Sequence, residues 1–261
     1  MLDTSLMALM GTNDASKAWT ARFDPAERVA IKVNTIRGSE FQTHVPLVLA
    51  VVERLQSIGL PADHIVIFDR STDELLKAGY PVNRDGPGLR CYGTDSDYTP
   101  GWMMMDTEVR LSQVLLDCDA LINIPILKQH GIAGISFAMK NHYGTFDKPG
   151  SFHGGRLARG MAELNALPPI RERTRLIIGD LLTISTRNWS TGVVGDSILM
   201  SLDPVAHDKV GLQKYSEVMT SEGLSPETAI HLSDGWLANG AELGLGTNDL
   251  ESINLMEQLV G

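Results

Sequence analysis

Three segments between residues 28 and 68 restrict the fold of this chain more than any other feature. Arg28 to Val33 (RVAIKV) is a compact apolar run interrupted by Lys32, and it reads as a strand. From His44 to Ile58, Val48, Val51, Val52, Leu55 and Ile58 recur at helical spacing. Thr43 suits the cap of that helix, Pro46 its first turn, and Gly59 with Pro61 its end. His64 to Phe68 (HIVIF) is a second strand, which delivers Asp69 and Arg70. Strand, helix, strand at this spacing is a βαβ unit, with parallel strands and a right-handed crossover. The expected fold is therefore α/β: a mostly parallel sheet with helices on both faces, Rossmann-like and doubly wound.

The remaining segments continue the pattern. Ser71 to Tyr80 reads as a short helix and Pro81 to Gly101 as a long loop. Met103 to Met105 suits adaptable core packing, and Leu111 to Leu116 a short helix. Ala120 to Leu127 is a buried strand, Arg156 to Leu167 a helix. Arg175 to Gly179 and Ser197 to Leu202 are strands ending in Asp180 and Asp203. Asp203-Pro204 opens a helix that runs to about Met219, and Thr228 to Leu237 and Leu250 to Leu259 read as two more. No internal repeat or linker divides the chain, so 1–261 is expected to be a single α/β domain. Residues 1–27 form an N-terminal helical extension, amphipathic through Leu6, Met7, Leu9 and Met10.

Composition removes several function classes. With 32 acidic and 22 basic residues the net charge is -10, which argues against nucleic acid and against an anionic membrane surface. No apolar run approaches the roughly 20 residues of a membrane span, so no membrane insertion is expected. Cys91 and Cys118 form no CxxC pair, too few ligands for an iron–sulfur cluster from this chain alone. A cytoplasmic and an exported location both stay open, the latter with its signal upstream, as does a homo-oligomer.

Candidate chemistry gathers in Ala120 to Gly144, where Lys128, His130, Lys140, Asn141 and His142 flank Gly131 and Gly134 inside a segment otherwise built for the interior. Such groups are costly to bury unless paired, so they either satisfy one another or face a pocket for an anion or a metal. Lys128, His130 and Lys140 are the candidate catalytic residues, His130 as general acid/base. Lys32, Asn34, Thr43, His44, Asn123 and Asn141 are candidate ligand-binding residues at strand ends or a helix start. The competing readings are plain: Thr43 and Asp203 as helix caps, Lys32 snorkelling to the surface, Asp69 paired with Arg70. Asp180, Asp203 and Asp208 are candidate ligands for a divalent metal, together with dispersed histidines that match no compact signature such as HExxH. No GxSxG elbow, dinucleotide fingerprint or P-loop is present.

Several ordered motifs carry a resemblance. IKVN at Ile31 to Asn34, Thr43-His44, INIPILKQHGIAG at Ile122 to Gly134, MKNHYG at Met139 to Gly144, Asp180, DPVAHD at Asp203 to Asp208 and GLGT at Gly244 to Thr247 resemble the bacterial and archaeal family catalogued as domain of unknown function 362. The resemblance implies an α/β fold and ties the lysines, His130, Asn141 and the aspartates into one pattern. Many relatives carry a ferredoxin-like cysteine cluster, which this chain lacks. The functional expectation is an enzyme acting on a small anionic substrate, with metal assistance open. The alternative is a non-catalytic binding or accessory protein that carries a metal or anionic cofactor for a redox partner.

Overall fold

In a computed structural model, which describes residues 1–36, 41–187 and 191–259, the expected βαβ unit forms. Helices α1 (Leu2–Met10) and α2 (Ala15–Thr20) precede strand β1 (Val29–Lys32), and α3 (Val45–Ser57) crosses to the parallel β2 (Ile65–Phe68). Next come α4 (Thr72–Lys77), β3 (Arg90–Cys91), β4 (Tyr98–Met104), β5 (Thr107–Ser112) and α5 (Gln113–Asp117). The central stretch supplies β6 (Ala120–Asn123), β7 (Ile126–His130), β8 (Gly134–Ser136) and the short α6 (Ala138–Asn141). The chain ends with α7 (Leu157–Ala166), α8 (Pro168–Arg171), β9 (Thr174–Arg187), β10 (Thr191–Ser201), α9 (Pro204–Ser221) and α10 (Glu227–Glu242).

The main sheet has eight strands in the order β3-β2-β1-β6-β9-β7-β8, with β10 also on β9. Pairing is parallel from β3 through β9 and between β7 and β9; the β7/β8 and β9/β10 pairs are antiparallel. Alternate strand residues serve opposite faces. Val29, Ile31, Ile65, Ile67 and Ile122 pack in one cluster with Leu6, Trp19, Val48 and Leu55 from α1 to α3. Ala30, Phe68 and Leu121 pack in the other with Leu115, Met161, Leu212 and Trp236 from α5, α7, α9 and α10. Burial on both faces is why these strands read as continuous apolar runs.

The structure departs from the sequence reading in five places, each with a physical cause. Pro125 has no N–H to give, and the expected strand Ala120 to Leu127 breaks there into β6 and β7, which pair with β9 in succession. Lys128, Gln129 and His130 lie within β7 and pair with β8 rather than trailing a strand. Gly134 closes this hairpin at φ +82, and a Cβ there would lie 2.2 Å from the Ala229 carbonyl oxygen. The expected loop Pro81 to Gly101 holds β3 and the start of the β4–β5 hairpin, so Leu111 lies in a strand rather than a helix, and only Met104 of the three methionines is buried. Met105 turns the hairpin at φ 53. The run through Asp180 continues to Arg187, held by β10 along its length. Finally, Leu250 to Leu259 forms only a 3-10 turn over Leu250–Ser252. Leu255, Met256 and Leu259 are exposed, and so short a helix without a packed face is marginal. Cys91 and Cys118 are free and buried. Among the described residues no helix is long and apolar enough to cross a membrane.

Candidate active site

The carboxyl ends of β1 and β6 meet the short helix α6 in one continuous polar network. Lys32 is fully buried, and its Nζ donates to Asp69 Oδ1 at 2.8 Å, the Val33 carbonyl at 2.6 Å and Asn141 Oδ1 at 3.4 Å. An ammonium only donates, so it fixes the Asn141 amide with its oxygen toward Lys32. The Asn141 nitrogen then donates to Asn123 Oδ1 at 2.7 Å, and the Asn123 nitrogen faces His142 Nε2 at 3.2 Å. From the other side Lys128 Nζ donates to Asn34 Oδ1 at 2.7 Å, and Asn34 Nδ2 to Asn141 Oδ1 at 3.1 Å. Both lysines thus impose the same orientation on every amide between them. The chain ends at His142, whose Nε2 must accept, so the ring proton sits on Nδ1, a buried atom without a partner. Burial, then the nearby Lys32 charge, lowers the His142 pKa to about 3 and keeps the ring neutral.

Asp69 is the anchor of this network. It accepts from Lys32, from the Thr35 N–H and hydroxyl, and from the Arg70 N–H. Burial alone would raise its pKa, but the Lys32 ammonium and these donors outweigh burial and hold it below the usual carboxylate value.

Lys128 also borders a second group. Lys140 is 7% exposed, and its Nζ stands 3.3 Å from the centroid of the Tyr143 ring. Burial, then the like charge of Lys128, lowers its pKa to about 7. His153 lies 5.5 Å from Tyr143 and 6.4 Å from His130, ring to ring. His130 Nδ1 accepts from the Ile132 N–H at 3.4 Å, which leaves the proton of the neutral ring on Nε2. Burial, then Lys140, His153 and Lys128, brings the His130 pKa down to about 3. His130 is therefore a neutral imidazole at physiological pH, whereas Lys140 titrates near neutrality. Tyr143 and His153 were not in the sequence-derived catalytic set. Tyr143 could have been found from its position three residues after Lys140, which places both on one side of a helical turn.

These groups all fall inside the family comparison. Residues 29–213 match the model of the Domain of unknown function (DUF362) family, from β1 past Asp208. The chain belongs to this family. Gly244 to Thr247 lies outside the matched residues. No curated protein matches the DUF362 chain. Among solved structures, the lactate racemase apoprotein from Thermoanaerobacterium thermosaccharolyticum is 11% identical, with a TM-score of 0.45, over 67% of this chain and 46% of that one. A crystal structure of a Thermotoga maritima protein is 10% identical, with a TM-score of 0.44, over 87% of this chain and 57% of that one. The DUF362 chain spans about half the length of these two structures.

Thr43, His44 and the three aspartates of the DUF362 chain occupy separate places. Thr43 takes the Asn34 N–H and donates to the Ile124 carbonyl at 2.8 Å, tying β1 to the β6–β7 break. His44, not the expected Thr43, stands at the N-cap position of α3 without a side-chain cap bond, and its N–H and Nδ1 both meet Asp180 Oδ2 at 2.8 Å. The bond to Asp180 raises the His44 pKa; partial burial opposes this, and the Asp180 charge adds to the rise. Asp208 accepts from the Ala138 and Met139 N–H groups and so holds the first turn of α6, which presents Lys140 and Asn141. Asp203 caps α9 through Val205 and Ala206 and accepts from the Thr247 N–H. Strand β10 is antiparallel, with Ser201 level with Ile177, so Asp203 leads away from the carboxyl-end rim that Lys32 and Asn123 share. Among the described residues no three His, Cys, Asp or Glu side chains converge as a metal site.

Proposed function

We propose that this chain is an enzyme that holds a small anionic substrate beside Lys128 and moves a proton with Lys140. The supporting observation is the pairing of these two lysines: Lys140 is almost fully enclosed, lies against an aromatic face and has another ammonium as its charged neighbour. With a pKa near 7 the amine and the ammonium are both populated at neutral pH, as proton transfer in either direction requires. Lys128, held by Asn34 and the Phe41 carbonyl, contributes its positive charge to the anion's site. His130, neutral at physiological pH, borders the substrate and does not change charge. Asp208 and the amide chain through Asn141 position Lys140 without touching substrate.

Incubation with a panel of small carboxylates and phosphate esters in deuterated water tests this reading, with solvent deuterium in the substrate read by mass spectrometry. Wild type is expected to exchange at least one of them, Lys140→Met none, and Lys128→Met to raise the concentration needed for half-maximal exchange. Exchange that survives Lys140→Met overturns the role of Lys140. A tightly bound stoichiometric metal in freshly purified protein, with no exchange of any panel member, would favour the non-catalytic carrier.

A further inference from the structure

Lys32, Lys128 and Lys140 are all buried, and two of them are committed to oxygen acceptors. Lys32 donates to Asp69, the Val33 carbonyl and Asn141, and Lys128 to Asn34 and the Phe41 carbonyl. Lys140 differs. Among the described residues its Nζ has no hydrogen-bond acceptor, and it stands over the Tyr143 ring. The residue keeps some surface, and Nζ is not one of the sealed polar atoms, so the nitrogen stays within reach of solvent. His130 and His153 on its flank are half-buried, and the exposed Gly131 and Gly154 follow them, so this side opens to the surface. The backbone beneath Lys140 is fixed. Asp208 takes the Ala138 and Met139 N–H groups, and Asn165 Nδ2 donates to the Met139 carbonyl at 3.0 Å. An ammonium that has lost water without gaining an acceptor gives up its proton readily, and the Lys128 charge adds to the effect. The free amine is a nucleophile as well as a base. A desolvated lysine beside a second cation is the arrangement that activates one.

We infer that Lys140 forms an imine with a small 2-oxo carboxylate, its Nζ attacking the carbonyl carbon while the Lys128 charge draws the adjoining carboxylate. The C–N bond forms first and gives a carbinolamine. The C–O bond then breaks, and the carbonyl oxygen leaves as water with the two protons of the amine. No oxidant or reductant is consumed. Tautomerisation of the imine to the enamine carries a proton from the neighbouring carbon to Nζ, and the reverse step returns a solvent proton to that carbon. The inference rests on the proposed function for the free amine of Lys140, and adds to it the substrate class and the covalent bond.

Reduction with cyanoborohydride in the presence of pyruvate at neutral pH tests the assignment, since hydride converts the imine to a stable secondary amine. Mass spectrometry is expected to find a single carboxyethyl group per chain, mapped to Lys140, and Lys140→Met is expected to lose it. Pyruvamide, the uncharged control, is expected to label Lys140 roughly tenfold more slowly, and Lys128→Met to remove that preference. Label spread over the exposed lysines, with none concentrated at Lys140, overturns the imine. Equal labelling by pyruvamide in wild type overturns the carboxylate, and a preference that survives Lys128→Met overturns the role of Lys128. Deuterium exchange measured on pyruvate alongside keeps the two readings apart. Exchange that depends on Lys140 without a label there leaves proton transfer standing and removes the imine. A label at Lys140 without exchange of any substrate removes proton transfer and leaves the imine.

Discussion

Lys32 and Lys140 are both buried lysines near one edge of the same sheet, and their surroundings are opposite. Lys32 faces a carboxylate at 2.8 Å that three further protein donors hold ionised. Lys140 faces a tyrosine ring and the positive charge of Lys128. Burial alone does not separate a structural lysine from a reactive one, because both side chains have lost their water. The neighbouring charge does: burial lowers both lysine pKa values, but Asp69 opposes it at Lys32 and Lys128 adds to it at Lys140. Where the fold supplies a carboxylate, the ammonium becomes part of the scaffold. Where it supplies another cation, the proton becomes removable, and the residue can take part in chemistry.

The largest effect should come from breaking the first pair. Asp69→Ala strands Lys32 in the interior and releases the Thr35 and Arg70 N–H groups, so it should cost about 3–5 kcal/mol in urea unfolding. Adding Lys32→Met to that variant should restore much of the loss, since an apolar side chain of similar length needs no partner. A double variant no more stable than Asp69→Ala alone would show that the two groups are not coupled as described.

Lys140→Met should do the reverse: abolish proton exchange without loss of stability, and stabilise the fold near neutral pH by removing the cost of a buried ammonium, since the shape is kept and no partner is stranded. The linkage adds a pH signature. A lysine near 7 in the fold and near 10.4 when unfolded leaves the unfolded chain with more bound protons between those values. Lys140 should therefore contribute a rise in stability with pH from about 7 to about 10.4, and the difference between Lys140→Met and wild type should show the loss of that contribution. Equal pH slopes would place Lys140 in a solvated setting and remove the contrast with Lys32. A smaller test separates burial from charge. In Lys128→Met the Lys140 pKa should move up but stay below that of a solvated lysine, since burial is the larger cause. Amine acylation rate against pH reads this directly.

The parallel unit from Arg28 to Phe68 was legible because Val, Ile and Leu at two different periods distinguish strands from helix without help from the rest of the chain. The membership of Lys32, Asn34, Asn123, Lys128 and Asn141 in one polar cluster was legible too, since amides and ammonium groups inside apolar segments have few alternatives to pairing with one another. Direction was not. Nothing in Ser197 to Leu202 says that this strand runs antiparallel, and that alone takes Asp203 away from the rim. Protonation was not legible either. His130 reads as a neutral-pH switch from its residue type, but its burial, then Lys140, His153 and Lys128, take its pKa out of that range. The β4–β5 hairpin escaped notice because its strands are partly exposed and mix Gly, Pro and Met, the composition of a loop.

A third arrangement sits between the two lysines: His44 with Asp180, a cation-forming group that has a buried carboxylate but is itself partly open to water. If the counter-charge is the deciding feature, His44 should behave as a weaker Lys32. Its pKa is raised in the fold, chiefly by the bond to Asp180, so the folded chain binds the extra proton more readily than the unfolded one. That contribution is fully present below the unfolded histidine value of about 6.5 and is lost as pH rises through the higher folded value. Thermal unfolding should therefore show the His44 pair weakening over that interval, and Asp180→Asn should flatten this part of the profile. The change should be the smallest of the set, since water competes for an exposed pair. An Asp180→Asn profile parallel to wild type would mean that Asp180 serves the His44 and Leu182 N–H groups alone. The rule drawn from Lys32 would then hold only where water is fully excluded.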